Sequence, residues 1–195
     1  PLIGALVIPT IAHALKPRFP QIRLHNIAIT DASSQLNQRQ VDLAIDSDTY
    51  SSQTIAYHLL FEERLVMYCR EGHPALQRPL TEENLRQYEF ALKLPPGQRY
   101  PAIYRQRQER QGERRCGFSS DNLFAQAALI SQSDMLGLMP ERMFSLLAQT
   151  WSLARLDYAQ LPEERIEIAL HYNRQSAQEP LLNQVIEVVC QSFKQ

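Results

Sequence analysis

Glycine and cysteine are scarce in this chain, and each scarcity excludes something. Six glycines in 195 residues stand singly, so there is no glycine-rich loop of the kind that cradles a phosphate. No Gly-x-Ser-x-Gly occurs, which removes the strained elbow that exposes a hydrolase serine. The three cysteines, Cys69, Cys116 and Cys190, are odd in number and widely separated. That pattern argues against a disulfide framework and against a paired-thiol zinc or redox site, and it favours reduced thiols in a cytoplasmic setting. His13, His25, His58, His73 and His171 lack the spacing and the Cys or carboxylate companions of a metal site, so neither metal nor cofactor is expected. No apolar run approaches the roughly 18 residues of a membrane span. The start shows no charged-then-apolar leader, and Pro1 already stands inside a helix-like pattern, as in a fragment lacking its own beginning. The formal net charge of −1 offers no general pull on nucleic acid.

What is present is an ordinary apolar fraction, 44%, enough for one large domain or two small lobes. Helical and alternating patterns succeed one another along the chain, which predicts an α/β architecture with mostly parallel sheets. The spacing predicts a first helix from Leu2 to Lys16, kinked or interrupted at Pro9, then a strand through Ile22, Leu24, Ile27 and Ile29. Asp31 and Ser33 are N-cap candidates for a short polar helix to about Gln38. Strands are expected over Leu43–Ile45, Ile55–Phe61, Leu65–Tyr68, Glu89–Leu92, Cys116–Phe118, Met135–Met139 and Ile166–Tyr172. Helices are expected after Thr81, after Pro101 as far as Gly112, after Ser119-Ser120-Asp121, after Pro140 and from Pro180.

The most telling stretch runs from Val41 to Leu76. It contains Val41-Asp42-Leu43-Ala44-Ile45, a polar loop, the long run Leu60 to Tyr68, and His73-Pro74-Ala75-Leu76. This order resembles the effector-binding domain of LysR-type transcriptional regulators, with its "DLAI-like" strand and its later strand ending in "HPL". Arg18-Phe19-Pro20-Gln21-Ile22-Arg23-Leu24 is similar to the family's "RFP-x-V-x-L" passage. Asp134-Met135-Leu136-Gly137-Leu138-Met139-Pro140 resembles its strand ending in "LP". The usual "GLG" before that strand is replaced by Ser133-Asp134-Met135, a form similar to the branch of nodulation-gene and aromatic-degradation regulators. The glycine usual before the "DLAI-like" strand is replaced by Arg39-Gln40.

The resemblance implies a two-lobed α/β fold like type 2 periplasmic binding proteins, with a ligand cleft between the lobes. Crossing strands would fall near Tyr68-Cys69 and Leu170-His171. Lobe I would then comprise residues 1–68 plus 171–195, and lobe II residues 69–170. The family's first strand and its N-terminal winged helix-turn-helix would be absent from this chain. Lobes of this family pair through one helix from each, here Leu2–Leu15 and Leu123–Ile130, so a homodimer or homotetramer is expected. Buried core helices would carry the same apolar faces.

Candidate effector-binding residues lie at helix N-termini and on loops after strands, where free N–H groups and the helix dipole suit a carboxylate. They are Leu2 and Ile3, Ser47 and Thr49, Gln98, Arg99 and Tyr100, and Ser120, Asp121 and Asn122. Arg99 has the fork to grip a carboxylate and Tyr100 the face to stack on an aromatic ring. Capping alone also accounts for Ser120 and Asp121. Pro95 to Tyr100 reads equally well as a surface loop. Arg105, Arg107, Arg110, Arg114 and Arg115 are interleaved with Glu109 and Glu113, and they read as a solvated helix face. Cys69 and Cys116 could serve as redox sensors, but thiols in strand-like runs read more readily as buried, inert core.

The function these features imply is sensing of a small molecule, carboxylated or aromatic, by a bacterial regulator. DNA would be contacted only through the missing N-terminal part, and no enzymatic activity or membrane contact is expected. The alternative within the same fold is a solute-binding protein for transport.

Overall fold

The computed structural model describes residues 2–27, 31–47, 51–93, 115–120, 122–159, 161 and 165–194. The chain divides into two compact units, Pro1–Glu63 with Arg165–Gln195, and Arg64–Glu164. These divisions fall before the expected crossings at Tyr68-Cys69 and Leu170-His171. The first lies inside a single long strand and the second at the start of another.

The first unit opens with α1 (Leu2–Leu15), which continues through Pro9 although proline offers no N–H to the carbonyl of Ala5. Next is α2 (Ala32–Asn37), capped by Asp31, whose carboxylate accepts from the N–H of Ser34 at 3.0 Å. Strand β1 (Leu43–Asp46) pairs antiparallel with β7 (Arg165–Asn173), and β7 lies beside β2 (Ile55–Arg70). Alternation along β1 sends Leu43 and Ile45 to one face and Ala44 to the other. Leu43 and Ile45 join Leu15, Leu60, Leu170, Val185, Ile186 and Val189 beneath α1 and α6 (Pro180–Ser192). Ala44 packs with Ala32, Leu36 and Ile55 beneath α2.

The expected strand through Ile22 and Ile27 is not formed. Residues 22–27 are irregular, with Leu24 and Ile27 about half exposed, and Ile29 lies outside the described residues. Alternation makes a strand only where a neighbour supplies a hydrogen-bond ladder, and none of the described strands pairs with this segment.

In the second unit the order is β6 (Leu153–Leu156), β2, β5 (Leu136–Pro140), β3 (Glu89–Lys93), β4 (Arg115–Ser120). Strand β2 is antiparallel to both β5 and β6, whereas β3 is parallel to β4 and β5. The sheets are therefore mixed, and the expectation of mostly parallel pairing is corrected. The short connection from α5 (Glu141–Trp151) to β6 returns the chain antiparallel to β2, and β6 itself was missing from the sequence-based expectations. The two strands expected over Ile55–Phe61 and Leu65–Tyr68 are one unbroken β2. Its end is set by Gly72, at φ +68°, before a 3-10 turn over Pro74–Gln77.

One face of this sheet buries Met67, Cys69, Phe90, Leu92, Leu136 and Leu138 with Leu85 of α3 (Glu82–Leu85) and Tyr158. The other face is covered by α4 (Leu123–Ile130) and α5. There Gly137 is obligatory in size, since an added Cβ would lie 2.5 Å from the Tyr68 ring and 2.6 Å from Ile130.

Candidate functional site

The expected site residues divide between the two units. Leu2 and Ile3 begin α1, and their backbone alone is described. Ser47 is exposed just beyond β1, where its N–H donates to Asp46 Oδ1 at 2.7 Å. Thr49, Gln98, Arg99, Tyr100 and Asp121 lie outside the described residues, as does the basic run apart from Arg115. Arg115 is an exposed partner of Glu89 at 3.4 Å, consistent with a solvated charge.

In the second unit the structure brings Ser120 and Asn122 together. Strands β3 and β4 run parallel and end side by side, Lys93 opposite Ser120. Helix α4 starts three residues later, at Leu123, at the carboxyl edge where open α/β sheets bind their ligands. Ser120 is the last residue of β4, and its Oγ accepts from the N–H of Asn122 at 3.0 Å. Asn122, one residue beyond the expected Ser119–Asp121 cap, is the N-cap of α4. Its Oδ1 accepts from the N–H groups of Phe124 at 2.9 Å and Ala125 at 3.3 Å. Two first-turn donors are thus already taken, and what that helix end retains for an anion is mainly its partial positive charge.

Gln126, absent from the sequence-based candidates, is fully buried on the sheet side of α4 and donates from Nε2 to the Ser120 carbonyl at 2.8 Å. An amide in an otherwise uncharged apolar helix was the available signal.

A second polar cluster ties the end of β2 to the turn before β5. Arg70 donates to Asp134 Oδ1 from Nε at 3.1 Å and from Nη2 at 2.7 Å. His73 is fully buried, and its Nδ1 accepts from the N–H of Ala75 at 3.0 Å, which leaves the proton of the neutral ring on Nε2, 3.9 Å from Asp134 Oδ1. This bears out His73 as a turn residue. Of the thiols, Cys69 is buried and pushed up to about 12 by desolvation, with a small opposing effect from Arg70. Cys116 is exposed, which corrects its reading as core: it stands among the first three residues of β4, Arg115 to Gly117, all of them exposed.

Among the described residues, no group of three or more His, Cys, Asp or Glu is placed to hold a metal ion. No described helix is long and apolar enough to cross a membrane.

Residues 1–194 match the family described as LysR substrate binding domain. The chain belongs to that family. It is 38% identical over 193 residues to the uncharacterized HTH-type transcriptional regulator YbeF of Escherichia coli (strain K12), covering 99% of this chain and 61% of the relative. The chain thus spans about three fifths of the length of that relative. Among solved structures it is similar to HinK, a LysR family transcriptional regulator from Pseudomonas aeruginosa, with a TM-score of 0.79 and 16% identity over 98% of this chain and 66% of that one. It is also similar to CrgA, a LysR-type transcriptional regulator from Neisseria meningitidis, with a TM-score of 0.77 and 15% identity over 100% and 66% of the two chains. The fold is the periplasmic-binding-protein-like type 2 fold of LysR regulatory domains, as expected. The domain is of the regulatory, effector-binding kind and not an enzyme; the family favours this reading over that of a transport protein.

Proposed function

We propose that this chain is the sensing part of a DNA-binding transcriptional regulator, working in the cytoplasm as a homodimer or homotetramer. DNA would be bound by a winged helix-turn-helix outside this chain. The match of the family over residues 1–194 carries this reading, and the HTH-type relative, longer than the chain, supports it. Placement in the branch of nodulation-gene and aromatic-degradation regulators rests on Ser133-Asp134-Met135 in place of the "GLG" sequence. In the structure Asp134 is used to hold Arg70.

The effector is a small carboxylate or aromatic molecule. Support comes from the carboxyl edge of β3 and β4 with Ser120 and Asn122, and from Arg99 and Tyr100 in the connection between those strands. Leu2, Ile3, Ser47, Thr49, Gln98 and Asp121 complete the proposed set. The effector acts by shifting populations: it favours whichever conformer it binds more tightly, and only by that difference in affinity.

A thermal-shift screen against aromatic acids, amino acids and dicarboxylates tests the reading. Ligand at about 100 times Kd adds roughly 2.7 kcal/mol and raises the melting temperature. Arg99→Ala is expected to weaken a carboxylate hit by about tenfold or more, as loss of a charge-assisted bond does, with the melting temperature of the free chain unchanged. An Arg99→Ala variant with wild-type affinity would remove Arg99 from the site.

A further inference from the structure

In the first unit, the amino half of β2 forms a sheet edge that the described strands leave open. Strands β5 and β6 pair only with residues 65–70 of β2, so over residues 55–63 its neighbour among the described strands is β7. Three consecutive residues there, Tyr57, His58 and Leu59, are exposed, Tyr57 at 40% and Leu59 at 48%. Successive side chains of a strand point to opposite faces, so a run of three leaves both faces uncovered, as at the rim of a sheet. Edges of this kind ordinarily carry a charge, a proline or a bulge that blocks pairing with another chain. Residues 51–61 contain no lysine, arginine, aspartate, glutamate, proline or glycine, and charge returns only at Glu62.

The neighbouring strand shows which backbone groups face outward. The N–H of Arg174, just past β7, donates to the Thr54 carbonyl at 2.8 Å, and Arg165 at the start of β7 is ion-paired with Glu62. Strand β7 therefore runs antiparallel along this half of β2. Backbone groups alternate in direction along a strand, so Thr54, Ala56 and His58 turn theirs to β7, and Tyr57 and Leu59 turn theirs away. The Ile55 carbonyl is already taken by the N–H of Ser52 at 3.0 Å. A strand that pairs here must offer two outward residues in the same spacing, and a second copy of β2 does so. Turned about a two-fold axis at His58, Tyr57 of one copy faces Leu59 of the other. Each such pair exchanges two hydrogen bonds, and the four apolar side chains gather on one face. Glu62 falls opposite Thr54 in that register, so no charge meets its like. We propose that this edge is a self-association surface, where two copies of the chain join β2 to β2 antiparallel and continue one sheet. The contact is isologous and separate from the helices α1 and α4. A strand pair this short buries less than the roughly 1,000 Å² of a lasting interface, so alone it holds two copies weakly.

The test is sedimentation velocity of the chain up to millimolar concentration, with Leu59→Lys and Leu59→Pro beside the wild type. Lysine brings two like charges to the join, and proline removes an N–H that β7 does not use. Each is expected to weaken self-association about tenfold or more. Oxidative cross-linking checks the register. In a Cys116→Ser background, His58→Cys is expected to give a disulfide-linked dimer, because facing residues of a non-hydrogen-bonded pair have Cα atoms about 4.5 Å apart. Thr54→Cys is expected not to, since its two copies would lie about 27 Å apart at roughly 3.4 Å per residue. Self-association unchanged in both Leu59 variants overturns the inference, as does Thr54→Cys linking as readily as His58→Cys. A chain that stays monomeric throughout also overturns it and leaves the edge to a strand of another protein. The sensing role stands in every case, because it does not depend on this edge. Should the Leu59 variants fail to fold, amide hydrogen exchange in the wild type decides. The Tyr57 and Leu59 amides are expected to exchange more slowly as the concentration rises, and rates that do not change with concentration overturn the inference.

Discussion

Single residues in the second unit show how little of their role a linear reading can contain. Gly137 looks like any strand glycine until the Tyr68 ring and Ile130 are seen to occupy the space its Cβ would need. Gly137→Ala is therefore expected to cost about 1–3 kcal/mol by overpacking, measured as a lowered urea midpoint with the slope unchanged. Cys69 and Cys116 were indistinguishable in sequence, both standing in strand-like runs, yet only Cys69 is covered. The folded state holds the Cys69 thiol protonated, its pKa rising from 9.0 to about 12. Its contribution to stability is thus complete below the unfolded value and is lost as pH climbs toward the folded one. Between those values wild type is expected to lose up to about 1.4 kcal/mol per pH unit relative to Cys69→Ala, so their urea midpoints converge as the buffer is made more alkaline. Asp134 was legible as a departure from the family pattern, but its partner Arg70, 64 positions away, was not.

At the scale of elements, local chemistry was readable wherever it is local. Thr81 opens α3 with a capping box closed by Asn84, and Asp31 caps α2, because a side-chain oxygen reaching the next turn needs nothing from the rest of the molecule. The α4 cap was displaced by one residue, to Asn122, since Ser120 was claimed by β4 pairing with β3. Asn122→Ala is expected to cost about 1 kcal/mol of stability, read from denaturant unfolding, by orphaning two N–H groups. A loss near zero would show that solvent replaces the cap. Residues 22–27 failed as a strand and β6 arose unexpected for one reason: strand formation is decided by the neighbour, which lies far away in sequence.

For the whole molecule, α4 has no acidic or basic side chain and α1 has only His13, and α4 keeps Phe124 on its outer side at 43% exposed. An apolar outer face on a helix is what a self-complementary interface uses. With dimerisation as proposed, Phe124→Asp is expected to shift the chain toward monomer in sedimentation or light scattering while its circular dichroism and melting cooperativity persist. An unchanged oligomer would move the interface off α4.

By itself the sequence determined the α/β class, the caps of α2 and α3, the final amphipathic helix and, through ordered short motifs, the family. All of these depend on residues within a few positions of one another, where backbone stereochemistry and hydrophobic periodicity act directly. Tertiary structure alone decided the mixed strand order, the continuity of β2, the burial of Cys69 but not Cys116, and the enclosure of Gln126 beside Ser120. Each of these depends on which distant segment covers a given face, and the energy of covering belongs to the pair of surfaces, not to either stretch of chain.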